Sequence, residues 1–204
     1  MKKMIVVLFC GLLLASSGLL YGQKIKSGDF KVLQGQSTLN LQYDYSNMAV
    51  GKFKVEEEYI KDGIADRNKK KPGSGDEWAQ KWASDKSERF QPMFEKNLNG
   101  EIKDCGLTGV PNAGDAKYTL IVRTTFLEQG FQSGVGPSKP AYINLVVDLV
   151  ETANPGTILA TIEYPKVQSA NMMGYDYDTG GRIMSCYDRA GGNIGNLSCK
   201  NMKK

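Results

Sequence analysis

Between Tyr118 and Tyr164 the sequence alternates three times between apolar runs of period two and turn residues, leaving no room for a helix. In YTLIVRTTF, Tyr118, Leu120, Val122 and Phe126 share one face, with Arg123 and Thr125 on the other. In AYINLVVDLVE, Ile143, Leu145, Val147 and Leu149 form the buried comb, while Asn144 and Asp148 point outward. TILATIEY aligns Ile158, Ala160, Ile162 and Tyr164, and the preceding Asn154-Pro155-Gly156 suits a tight hairpin turn. Three antiparallel strands with one apolar face need a covering layer, and this requirement constrains the rest of the chain.

Upstream, STLNLQYDYS alternates Leu39, Leu41, Tyr43 and Tyr45 with Asn40, Gln42 and Asp44, so it predicts a further strand of the same sheet. DFKVLQG is a weaker strand candidate. From Val55 to Lys71 the period becomes helical, with Glu56 to Glu58 in the first turn and Lys69 to Lys71 in the last, as the helix dipole favours. Pro72-Gly73 ends this helix, and Ser74 followed by Glu77 reads as a capping box opening the next. That helix carries Trp78, Trp82, Phe90, Phe94 and Leu98, and Pro92 should kink it or begin a second segment. Both tryptophans are read as core. Residues 99–117 and 165–178 are read as loops, and a last helix from about Thr179 carries Ile183, Tyr187, Ala190, Ile194 and Leu197. Its glycines count against its length. The expected fold is α+β, a two-layer sandwich whose mostly antiparallel sheet is covered by helices on one face, in the order β-β-α-α-β-β-β-α.

The first residues, MKKMIVVLFCGLLLASSGLLYGQ, have the layout of a secretory signal: two lysines, an apolar run, then small residues. The competing reading is an uncleaved anchor, and Ser16, Ser17 and Gly18 favour cleavage. Cys10 sits after Phe9 within the apolar run, which does not suit lipid attachment. The expected organisation is a signal peptide over 1–22 and one α+β domain over 23–204, periplasmic or secreted, with no stable membrane insertion after cleavage. The 204-residue length suits one core, and 41% hydrophobic with 24% charged residues excludes disorder along most of it. Net charge is +4, and removing Lys2 and Lys3 leaves about +2, too little to imply a nucleic-acid partner.

Three cysteines then remain, Cys105, Cys186 and Cys199, so at least one thiol stays free or pairs between chains. On one unbroken helix Cys186 and Cys199 would lie about 20 Å apart, beyond disulfide reach, which favours Cys105 as a partner. The glycines at 191, 192 and 195 would reopen the local pair if they broke that helix, and the pairing stays open.

The chain contains no histidine, which removes His-based nucleophile activation and the commonest transition-metal ligand. Asp176-Tyr-Asp178-Thr-Gly-Gly begins like a calcium loop but has Tyr187 where a bidentate Glu is needed, so Asp178 or Thr179 is read as a helix cap. GFQSGVGPSK matches neither phosphate-binding pattern. No catalytic residue, cofactor or metal site is expected. Two loops are left as partner contacts, Gly130 to Pro140 and the segment bearing Met172, Met173, Tyr175 and Tyr177, residue types enriched at interfaces.

The runs AKYTLIV from Ala116, PAYINLVVDLV from Pro140 and PGTILAT from Pro155 resemble exported bacterial modules related to TolB amino-terminal domains and curli-secretion lipoproteins. The resemblance implies a periplasmic accessory or assembly domain and supplies no catalytic residues. The expected function is a non-catalytic interaction module of the cell envelope with an envelope protein as partner. The alternatives are a small-ligand-binding protein using the concave side of the sheet and a carboxylate-dependent hydrolase.

Overall fold

The computed structural model describes residues 22–133, 136–170 and 178–203, so the leader and Met172, Met173, Tyr175 and Tyr177 lie outside the described residues. Seven strands form one sheet: β1 (Lys24–Gly28), β2 (Thr38–Asp44), β3 (Ala49–Val50), β4 (Thr108–Pro111), β5 (Tyr118–Glu128), β6 (Tyr142–Glu151) and β7 (Asn154–Gln168). Its order is β1-β7-β6-β5-β2-β4, with β3 pairing beyond β2 on β5. From β1 to β5 the pairing is antiparallel, and β2, β3 and β4 join in parallel. The helices are α1 (Glu56–Lys70), α2 (Ser74–Asp85), α3 (Gln91–Ile102) and α4 (Thr179–Met202). The α+β class and the helical cover over the sheet hold as expected.

The three long strands align as their periodicity demands: Leu120 faces Leu149, Val122 faces Val147, and Val147 faces Ile162. All of these are buried under α3 and α4. Two comb residues leave it because bulges reset the register. A bulge between Thr124 and Phe126 hands the core position to buried Leu127, and Phe126 stacks on Tyr142 at 5.4 Å instead. A register shift beside Val150 puts Ile158 off the comb, where it is 54% exposed. Asp148 keeps to the outward face yet is buried, because Arg123 donates to it at 2.7 Å and Thr161 also at 2.7 Å.

Several local expectations fail for identifiable reasons. DFKVLQG is a 3-10 turn, with buried Phe30 and Leu33 at helical spacing and Asp29 accepting from the Lys31 N–H; the strand lies earlier, at β1. The hairpin turn falls on Thr152-Ala153, and Asn154 already pairs with Glu151 in β7. β7 runs past Pro165 because Lys166 takes a positive φ of 53° and its N–H reaches the Asn144 side chain, making a bulge rather than an end. Within residues 99–117, α3 continues to Ile102 and β4 follows, clamped by Asn99, which bonds both the N–H and the carbonyl of Gly109. Ser74 does not cap α2. Gly73, at φ 85°, precedes the helix, and the Ser74 hydroxyl donates back to the Arg67 and Lys71 carbonyls at the end of α1.

α2 and α3 are joined by one π-helical turn, Lys86–Phe90, and Pro92 occupies the first turn of α3, so a second segment does begin there. α4 is unbroken. Its glycines serve proximity: a Cβ on Gly191 would come within 2.2 Å of the Phe94 carbonyl, and one on Gly195 within 2.9 Å of the Leu98 carbonyl. The two helices therefore touch backbone to backbone, and Tyr187 stacks on Phe90 at 5.3 Å while hydrogen bonding Thr124 at 2.7 Å.

An unbroken α4 also settles the cysteines. Cys105, in the turn after α3, is bonded to Cys199 near the end of α4, with Cα atoms 5.9 Å apart. Cys186 is a buried free thiol on the core face, and burial pushes its pKa up to about 12, which makes it inert packing.

Candidate functional site

α1 has few apolar residues, and its contribution is a corner rather than a face. Tyr59 meets Phe53 at 5.8 Å, Trp78 at 5.5 Å and Trp82 at 4.9 Å, so four aromatic rings pin the α1–α2 hairpin beside β3. Gly63 makes the crossing possible: a Cβ there would lie 2.5 Å from the Trp78 ring. Trp82 is core, as expected, at 4% exposed, and its indole N–H donates to Glu56 at 2.6 Å. Lys86 closes the other oxygen of that carboxylate at 2.6 Å, so Glu56 works as a buried anchor as well as a first-turn acid. Trp78 is only partly buried, and the Arg67 guanidinium lies 4.0 Å from its ring centre.

Next to this corner α4 begins. Asp178 caps it by accepting from the Gly180 N–H at 3.1 Å, the role expected from sequence. Its other oxygen accepts from Arg89 at 2.6 Å, and Arg89 also reaches Asp85 at 3.4 Å. Burial raises the pKa of Asp178, but the Arg89 hydrogen bond and charge outweigh it and hold the carboxyl below its ordinary 3.8. The ionic link ties hairpin to α4 across an open cleft of about 200 Å³, with Arg67, Trp78, Lys81 and Trp82 on one side and Asp178 to Gly180 on the other.

Trp78, Lys81, Trp82 and Asp85 lie at helical spacing on α2, and that pattern was the available signal for the cleft. Arg67 and Arg89 had none, because nothing in the sequence says that α1 folds back on α2 or that α4 begins there. Of the two loops singled out from sequence, the Met/Tyr segment ends at Asp178 on the cleft's edge, though its own residues are not described. In the other, Phe131 is half exposed and paired backbone to backbone with Lys139, while Arg182 from α4 donates to the carbonyls of Gln129 and Gly130. Among the described residues no three His, Cys, Asp or Glu side chains converge where a metal would sit, and no helix is long and apolar enough to cross a membrane.

No protein-family model matches the chain, and no curated protein matches it in sequence. Among solved structures it is similar to PelC from Paraburkholderia phytofirmans, determined as a dodecamer, at 10% identity over 87% of this chain and 96% of that one, with a TM-score of 0.40. It is also similar to a protein of Xanthomonas campestris described by the family model DUF330, at 10% identity over 82% and 86% of the two chains, with a TM-score of 0.39. At this identity and overlap the likeness adds nothing to an argument about function. None of these comparisons shows the resemblance to TolB amino-terminal domains and curli-secretion lipoproteins that the strand patterns suggested.

Proposed function

We propose that the chain is an exported accessory module of the bacterial cell envelope that works by binding a partner rather than by catalysis. The observation that carries the proposal is the Cys105–Cys199 disulfide, which links positions 94 residues apart in sequence. Such a staple persists in oxidising compartments and is rare in a reducing cytosol. It agrees with the lysine-led apolar run at the start of the sequence. The side chains around the cleft support binding over catalysis. Among the described residues Asp85 and Asp178 are the carboxylates that line it and both bind Arg89, and Asp178 is held below the ordinary carboxylate range, the opposite of the raised pKa a general acid needs. The partner contact in this proposal is the segment bearing Met172, Met173, Tyr175 and Tyr177.

Fractionation of a Gram-negative host expressing the whole chain tests this reading. The protein is expected in the envelope or periplasmic fraction with a mass that begins near Gln23. A protein that stays in the cytosol at full mass contradicts export. Capture from envelope extracts, compared between the wild type and a Tyr175→Ala/Tyr177→Ala variant, tests the contact. The variant should lose the bound partner, and full retention would exclude that segment.

A further inference from the structure

We propose that the cleft between the α1–α2 hairpin and the start of α4 binds a small organic anion with a flat ring, an aryl carboxylate or aryl phosphate, the ring resting at Trp78 and the anion lying between Arg67 and Lys81. This does not rest on the partner-binding proposal, since neither the ligand nor the residues involve the Met/Tyr segment.

Charge selects the sign of the ligand. Asp85 and Asp178 are both engaged by Arg89, which stands behind the cleft and neutralises part of their charge. Glu56, behind Trp82, is closed by Lys86. Arg67 and Lys81 form no ion pair with any described carboxylate, although Lys81 lies near enough to Asp178 to help lower its pKa. Arg67 spends one N–H on the Gly63 carbonyl at 3.2 Å and its guanidinium carbon lies 4.0 Å from the Trp78 ring centre, so its remaining donors line the cleft with no acceptor among the described residues. Among the described residues Arg67 and Lys81 thus line the opening with two carboxylates that Arg89 already engages. A cationic ligand would find both acids already satisfied.

Shape and surface select the body of the ligand. The space, about 200 Å³, is below the usual range of drug-sized pockets and suits a single ring with its substituent. Trp82 is too deeply buried to offer a face, whereas Trp78 is partly exposed, with the Arg67 guanidinium over its ring and Tyr59 and Gly63 against it, so a ligand ring meets the indole beside Arg67. A preorganised indole beside two cations supplies an apolar contact and a charge-assisted one to the same small molecule.

The chain has only two tryptophans and both line the cleft, so tryptophan emission reports on this place alone. The whole mature chain is titrated with phenyl phosphate, and in parallel with benzyl alcohol, inorganic phosphate, and two variants. Phenyl phosphate should change the emission saturably. Benzyl alcohol should not, and inorganic phosphate should bind at least about ten-fold more weakly, since each supplies half of the recognition. Lys81→Gln touches no aromatic ring and should weaken phenyl phosphate about ten-fold with the far-UV spectrum unchanged. Lys139→Gln, which neutralises a lysine paired with Glu128 outside the cleft, should leave it unchanged. The proposal is overturned by the absence of saturation, by equal binding of benzyl alcohol, or by equal effects of the two lysine variants.

Discussion

The α3–α4 pair and the α1–α2 hairpin are attached to the same body by opposite means. α3 and α4 approach backbone to backbone over Gly191, bury Phe94, Leu98, Ile183, Tyr187 and Ile194, and are stapled at one end by Cys105–Cys199. The hairpin buries Trp82, Glu56 and Asp85 and is held by aromatic edges and by Lys86 and Arg89. Close packing leaves no slack, whereas rings and ion pairs at a surface tolerate rearrangement and leave an opening between them. The difference explains why the cleft opens at the hairpin's edge, between α2 and the start of α4, and not between α3 and α4.

Removing the staple should give the largest effect. The Cys105→Ser/Cys199→Ser protein should lose about 4 kcal/mol, read as a lowered midpoint in urea, because the bond closes a loop of sequence separation 94 that holds β4 to β7 and most of α4. Gly191→Val comes next, at about 3 kcal/mol, because the added carbons meet the Phe94 carbonyl, which is backbone and has nowhere to go. If that variant melts like the wild type, α3 and α4 are not in the close contact described. On the hairpin, Lys86→Gln should cost about 2 kcal/mol by leaving the Glu56 carboxylate buried beside Trp82 without its cation. Its effect should appear in tryptophan emission before it appears in far-UV ellipticity, which separates a local loosening from global unfolding.

Acid should sharpen the contrast by the smallest step. Asp178 has a folded pKa held below its ordinary 3.8, so the Arg89 link stabilises the fold above that value and is lost as pH falls through the lower, folded one. Acid titration should therefore shift tryptophan emission ahead of the ellipticity of the α3–α4 body. Asp178→Asn should remove that early phase, and an unchanged titration would disconnect this carboxylate from the hairpin.

The sheet was legible because period two survives over Tyr118–Glu128 and Tyr142–Glu151, and only bulges, which leave no composition signal, displaced Phe126 and Ile158. Glycine misled in a specific way. At 191 and 195 it was weighed as a helix breaker, whereas it sits inside an unbroken helix because a second backbone approaches there. β4 escaped notice since four residues held by Asn99 carry no periodicity. Of the cleft, Trp78 and Trp82 were seen and assigned to the core; Lys81 shares their helix, whereas Arg67 and Asp178 come from elements whose meeting with α2 only the fold decides.

Export and the α3–α4 staple both turn on which cysteines are joined in the cell. Protein recovered from its envelope fraction should be alkylated under denaturing, non-reducing conditions and then mapped by peptide mass. The account predicts a Cys105–Cys199 linked peptide and alkylation at Cys186 alone among these three cysteines. Three alkylated thiols, or a bond that includes Cys186, would contradict it.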